Sequence, residues 1–471
     1  MAFKGTGVPP GHVVRTFTAE ATLTPAQRRR AMAMLESGGD VLAFCIDRFH
    51  ARIRAGLPNA NSVVELWPDQ KAHGPFGELS AHCAQDVTKL WSAQYFEAIR
   101  RRQSGARAAL PLKKRRLVPI TWRKGEFALV APADGRRARA ELSCARGRPK
   151  LVLRLSHPHR FEEALVRSVR LREDAGDLLV DITAFVGVAS ASLDPLLVAG
   201  VDPGIIHPLA VAVGDTALLI SGRALRAEEF LHLEDSKARA RISSTKRAAV
   251  RARPGRPSEG GSRRWRKLQA AQRAAESRNR RVVKLAQHRA ARLATSLIVA
   301  SRASEVAVGD PRGIESAPAG RVHRRRVHRC GRAYGRDALR YALEEAGIKV
   351  RLVEERGTSS RCPHCAAPAT KSGRRLRCSS LTCRAVHHRD IAGAQNMVVK
   401  IGHAPRKIAR TEHRRVGQPS RRDRRRHLYD LSRSAQAAPL GPARTRAADP
   451  ARAGEESLVA QVARARVIVF A

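Results

Sequence analysis

Four cysteines in one short stretch, Cys362, Cys365, Cys378 and Cys383, are the residues best suited by type and spacing to do chemistry. Cys362-Pro-His-Cys365 forms one close pair; twelve residues separate it from Cys378, which pairs with Cys383 across four more. Two thiolate pairs joined by a short basic loop can close a tetrahedral Zn²⁺ site, and with all four positions filled such a site is structural rather than catalytic. His364 and His387 lie close enough to act as substitute ligands. Cys45, Cys83, Cys144 and Cys330 are scattered, which suits a reducing compartment better than a disulfide framework.

A second group is acidic. Asp390 follows Cys383 within HHRDIAGAQN, which reads as a helix start, with the carboxylate near the positive helix end and Ala392 and Ala394 permitting close packing. Asp202 ends the apolar run VAGVD and is followed by Pro203-Gly204, which leaves the carboxylate at a strand edge. Asp310 ends VAVGD and Glu355 ends IKVRLVEE. Taken singly, Asp390 is an ordinary capping residue and Asp-Pro-Gly an ordinary turn. The signal lies in the combination.

The elements that must position these groups fall into two textures. Residues 13–22 alternate as a strand; residues 24–105 then read as helices, opening with Thr24-Pro25 as cap and first turn. From about 110, short apolar runs at 117–122, 127–131, 151–155, 166–171 and 178–185 suit an antiparallel β-barrel interrupted near its start by a helical insertion. The second half reads as a strand and returning strand (198–204, 209–214), a basic broken loop (232–263) and a helix (264–300). A strand (306–310), a helix (336–346) and a strand (348–355) follow. Strand, hairpin, helix, strand, helix, strand is the order of an RNase H-like α/β core. Residues from about 403 onward are rich in Arg, Ala, Pro and Ser and are expected to be disordered.

Charge narrows the partners. Lys and Arg total 89 against 42 acids, a formal net charge of +47, so a polyanion is expected, and nucleic acid is the commonest. Aromatic residues are only 4% of the chain, so phosphate contact rather than base stacking should dominate affinity. No apolar run reaches the roughly 18 residues of a membrane span. The first residues lack a leader's apolar core. A cytoplasmic, nucleoid-associated protein with no membrane partner is expected.

VAGVDPGIIHPLAVA, VAVGDPRGI, ERGTSSRCPHC and HRDIAGAQN, in this order, resemble the TnpB (OrfB-type) proteins of bacterial insertion sequences, themselves similar to compact type V CRISPR effectors. The resemblance is strongest over about 197–400. It implies a RuvC-like nuclease core at 196–357 with a basic helical insertion (232–300), a zinc knuckle at 358–386, a final core helix at 387–402 and a tail at 403–471. Before these it implies a wedge-like β-barrel, with first strands in 1–23 and the remainder in 109–195, around a helical recognition-type insertion at 24–108.

The activity implied is RNA-guided, Mg²⁺- or Mn²⁺-dependent cleavage of double-stranded DNA by a protein of a mobile element, with guide RNA as partner. Three carboxylates would hold two metal ions, Asp202 matching the first and Asp390 the last. The middle one is displaced: the family's strand ends Glu-Asp, and here it ends Gly309-Asp310. Asp310, Glu355 or the loop residue Glu315 could replace it. Glu355 is preferred, because ends of adjacent strands lie about 5 Å apart, within a Glu side chain's reach; a structural ion pair with Arg356 or Arg361 is its other reading. Basic segments 239–253, 263–266, 278–281 and 324–326 would line a guide–target channel that reads backbone shape. Two other readings stay open: a cleavage-deficient RNA-guided DNA binder and a transposase that joins DNA ends.

Overall fold

The computed structural model describes residues 7–57, 61–105, 107–130, 138–156, 161–189, 192–251, 262–310, 320 and 331–416. They belong to two compact units, Met1–Val186 and Gly187–Ala471.

In the first unit, β1 (His12–Thr22) leads into three helices, α1 (Pro25–Arg54), α2 (Val63–His73) and α3 (Ala81–Gln103). Thr24 caps α1 by accepting from the Gln27 amide, and Gln27 reaches back to the Thr24 amide, with Pro25 in the first turn. Phe49, Trp91 and Tyr95 pack with Cys45, Ile46 and Leu66 into one cluster. The chain then builds β2 (Ile120–Arg123), β3 (Phe127–Val130), β4 (Arg139–Leu142), β5 (Leu151–Leu155), β6 (Val166–Asp174) and β7 (Asp177–Gly187). These join β1 in a seven-stranded sheet of order β2-β6-β7-β1-β5-β4-β3. Its two edges, β2 and β3, are consecutive strands joined by a short turn, so the sheet curls until it nearly closes. β4 was not anticipated: RAEL offers only two apolar side chains, and both are spent on one buried face.

The second unit is built on a six-stranded sheet of β8 (Asp194–Asp202), β9 (Ala210–Val213), β10 (Thr216–Ser221), β11 (Ala303–Asp310), β12 (Lys349–Glu354) and β16 (Arg410–Arg415), in the order β12-β11-β8-β9-β10-β16. β8, β11 and β12 run parallel, and β9 is antiparallel to both β8 and β10. Apart from β16, and from β10 at 216–221, which was not anticipated, the strands follow the chain order expected for the core. Three helices attend it: α5 (Arg263–Ala300) and α6 (Arg332–Glu345) on one face, and α7 (Arg389–Lys400) on the other. Strand alternation divides the residues between the faces. Val201, Val306 and Val308 join the core under α5 and α6, whereas Ile391 of α7 packs with Ala210, Ala217 and Leu219.

Two expectations need correction. The basic segment 232–263 was read as a loop, but α4 (Arg223–Arg251) carries helix through most of it, because the stretch is rich in Ala, Leu, Arg, Lys and Glu and its first proline is Pro254. α4 runs beside α5, with the Gln272 amide donating to Ser236 Oγ at 2.9 Å. The stretch from 403 was expected to lack structure, yet β16 within it pairs in parallel with β10 over Thr216↔Arg410 to Ser221↔Arg415. Its charged side chains hid it, since an edge strand needs backbone partners more than apolar ones. Residues 417–471 of that tail lie outside the described residues, as do Glu315 and the basic run 324–326.

α7 can lie on the sheet only because Gly200 has no side chain: a Cβ there would sit 1.9 Å from the Ala394 carbonyl oxygen. Gly200→Ala is therefore expected to lower stability by about 2 kcal/mol or more, measured by urea unfolding, since overpacking must displace helix backbone.

Candidate functional site

Asp202 stands at the end of β8 on the α7 face of the sheet. Its Oδ2 comes within 2.4 Å of where a Cβ on Gly393 would be, so the helix passes directly over the carboxylate. Asp390 lies in the first turn of α7. There it accepts a hydrogen bond from His207 Nδ1 at 2.6 Å and faces Arg374 Nη1 at 3.1 and 3.2 Å. Burial raises the Asp390 pKa, but the His207 hydrogen bond and the Arg374 charge outweigh it and hold the carboxyl below its usual range.

The displaced middle position has a clear geometry. β11 and β12 pair Gly309 with Val353 and Asp310 with Glu354. Glu355, one residue past β12, therefore turns to the Gly309 face and away from the Asp310 face. A Cβ on Gly309 would meet Glu355 Cγ and Oε1 at 2.9 Å and Met397 Cε of α7 at 3.0 Å. The Glu355 side chain occupies the space that a side chain at 309 would need. Asp310 points to the opposite face, where Arg336 of α6 holds it at 2.7 Å. Asp202, Glu355 and Asp390 thus share the α7 side, and Asp310 does not.

Residues that the sequence reading passed over hold this arrangement. Asn396 of α7 donates from Nδ2 to the Thr358 carbonyl at 2.5 Å and the Arg361 carbonyl at 2.9 Å. Thr358 in turn donates from Oγ1 to the Glu355 carbonyl at 2.8 Å, and Lys400 reaches the Glu354 and Arg356 carbonyls at 2.7 and 2.8 Å. One helix thereby fixes the strand end that carries Glu355. The sequence signal of Asn396 is its place as the last residue of HRDIAGAQN. His207, in IIHPL, and Arg374 gave no periodic or spacing clue.

The four cysteines converge as anticipated. One sulfur from each lies within 4.8 Å of all the others, with Cys362–Cys383 at 3.8 Å and Cys365–Cys378 at 3.4 Å. Sulfurs bound about 2.3 Å from a tetrahedral ion lie roughly 3.8 Å apart, so the set can hold a metal ion. His387 Nε2 is 3.6 Å from Cys362 Sγ, and its ring packs edge-on to His364 at 4.7 Å, so both histidines border the set. Around the cysteines, β13 (Ala369–Ser372), β14 (Arg375–Cys378) and β15 (Val386–His388) form a small antiparallel sheet. The β13–β14 turn delivers Arg374 to Asp390, which couples the knuckle to the acidic site.

Among the described residues no helix is long and apolar enough to cross a membrane. Residues 333–397, from α6 into α7, match the family model described as Cas12f1-like, TNB domain. No curated protein matches. Among solved structures the chain is similar to a cryo-EM structure of a Cas12f1–sgRNA–target DNA complex, with 16% identity, coverage of 79% of this chain and 82% of that one, and a TM-score of 0.51. It also matches the mini-RNA-guided endonuclease CRISPR-Cas_phi3 at 10% identity, over 83% and 92% of the two chains, with a TM-score of 0.46. The chain shares the fold of that Cas12f1. The resemblance to TnpB-like compact RNA-guided nucleases, first seen in the motifs, is borne out.

The purified protein is expected to carry a tightly held metal ion at the cysteines. Cys378→Ser should remove it in elemental analysis, and unchanged metal content would place the ion elsewhere.

Proposed function

We propose that this chain is an RNA-guided DNA endonuclease of a mobile element, which takes a guide RNA and a double-stranded DNA target. In this reading it cuts at a single RuvC-like site using Mg²⁺ or Mn²⁺, and Zn²⁺ fills the four cysteines. The observation that carries the reading is Glu355 seated over Gly309, on the same face of the sheet as Asp202 and Asp390. It supplies the carboxylate that the strand end of β11 lacks.

Asp202, Glu355 and Asp390 fit divalent ions by chemistry, being hard oxygen donors brought to one side of the sheet. Ions held there would activate a water and stabilise the leaving oxygen at the scissile phosphate. Asp310 serves structure instead, through Arg336. Exposed Arg263, Arg264, Arg266, Lys267, Arg273, Arg278 and Arg280 on α5 offer the phosphate contacts that a guide–target duplex needs. The helices α1–α3 would act as the recognition insertion and the seven-stranded sheet as the wedge.

The test is Mg²⁺-dependent cleavage of a plasmid by protein co-purified with its own transcript. Loss of an outer-shell metal partner costs tenfold to a hundredfold, so Asp202→Ala and Glu355→Gln should each cost at least about a hundredfold in cutting, with guided DNA binding retained. Asp310→Asn should still cut. The exchange Gly309→Glu with Glu355→Gly should restore part of what Glu355→Gly loses. Guided binding without cutting by the wild type would favour the cleavage-deficient binder, and joined element ends would favour a transposase.

A further inference from the structure

The geometry points to a further metal site, built by His207, His388 and Asp390, that takes a borderline transition-metal dication such as Zn²⁺ or Co²⁺. This goes beyond the nuclease reading and does not rest on it; the two meet only in Asp390.

Three elements converge to make the site: the loop after β8 gives His207, the end of β15 gives His388, and the first turn of α7 gives Asp390. One ligand atom from each lies within 4.8 Å of the other two. Donors bound about 2.0–2.2 Å from one ion sit roughly 3–3.5 Å apart, so the set has to close by on the order of 1 Å. His207 Nδ1 and Asp390 Oδ2, 2.6 Å apart, share a hydrogen bond that the ion would replace, with the ring proton then on Nε2. The His207 and His388 rings meet edge-on at 5.5 Å.

A second observation points to a ligand. His388 Nδ1 is buried and has no hydrogen-bond partner among the described residues. A buried ring nitrogen left so is costly, and its place beside another imidazole and a carboxylate is where a cation would repay that cost.

Donor chemistry selects the ion. Two imidazoles with one carboxylate suit Zn²⁺, Co²⁺ and Fe²⁺, whereas Mg²⁺ prefers an all-oxygen shell. The site therefore differs in kind both from the carboxylates facing α7 and from the four thiols of the knuckle. Arg374, facing both Asp390 oxygens at 3.1–3.2 Å, supplies positive charge that a bound cation would compete with.

The experiment uses the full chain with its cysteines first saturated by Zn²⁺, titrated with Co²⁺ and followed by visible absorption. Beyond any ion that the carboxylates take, the wild type should bind one Co²⁺ with the ligand-field bands of a nitrogen-ligated ion and no thiolate charge transfer. His207→Ala and His388→Ala should each weaken that binding by about tenfold or more. Co²⁺ exchanged into the cysteines, read by its thiolate charge transfer, should persist in both variants and reports that the knuckle is folded; His207→Gln and His388→Gln replace any variant that fails this control. Arg374→Ala should tighten binding by relieving charge repulsion. A wild type that binds no further Co²⁺, or binding indifferent to both histidines, overturns the proposal whatever the protein does to DNA.

Discussion

The contact between α7 and the sheet is the constraint on which the site depends. Gly200 and Gly393 strip side chains from the two surfaces at the point of closest approach, so the Ala394 carbonyl lies against β8 and Asp202 lies under the helix. With the backbones this near, the first turn of α7 carries Asp390 to the same side as Asp202. The far part of the helix holds the Glu355 loop through Asn396 and Lys400. Packing here is a positioning device, and its tolerance is set by backbone rather than by adaptable side chains.

Electrostatics works at two scales. Over the whole chain a net charge of +47 favours a polyanion and makes association sensitive to salt. Locally the acids are individually engaged: Asp310 by Arg336, and Asp390 by Arg374 and His207. Arg374 matters most, because it comes from the cysteine knuckle. The knuckle's fold and the charge state around Asp390 are therefore linked by one guanidinium.

Much of this was legible in the sequence because its signals are local. Apolar strand runs, the Thr24-Pro25 cap and the cysteine pairs are each defined by neighbours in the chain, and the structure has them where spacing placed them. The elements that stayed hidden lack such signals. β16 is an edge strand of charged residues, and α4 looked like a loop because charge obscured its helix propensity. At the site, the sequence nominated Asp310, Glu355 and the weaker loop candidate Glu315, and preferred Glu355 on strand adjacency. The register of β11 against β12 sends Asp310 and Glu355 to opposite faces, while Glu315 lies outside the described residues. His207 and Arg374 were invisible because they reach Asp390 from remote stretches of the chain.

The pairing of Gly309 with Glu355 changes what a missing acid means. A reader who scans position by position sees a glycine where a carboxylate belongs and scores the chain as dead. In space the glycine leaves room for the Glu355 side chain, the carboxylate proposed to do that acid's work. On that reading, a search by single positions misses an acid that stands one strand over.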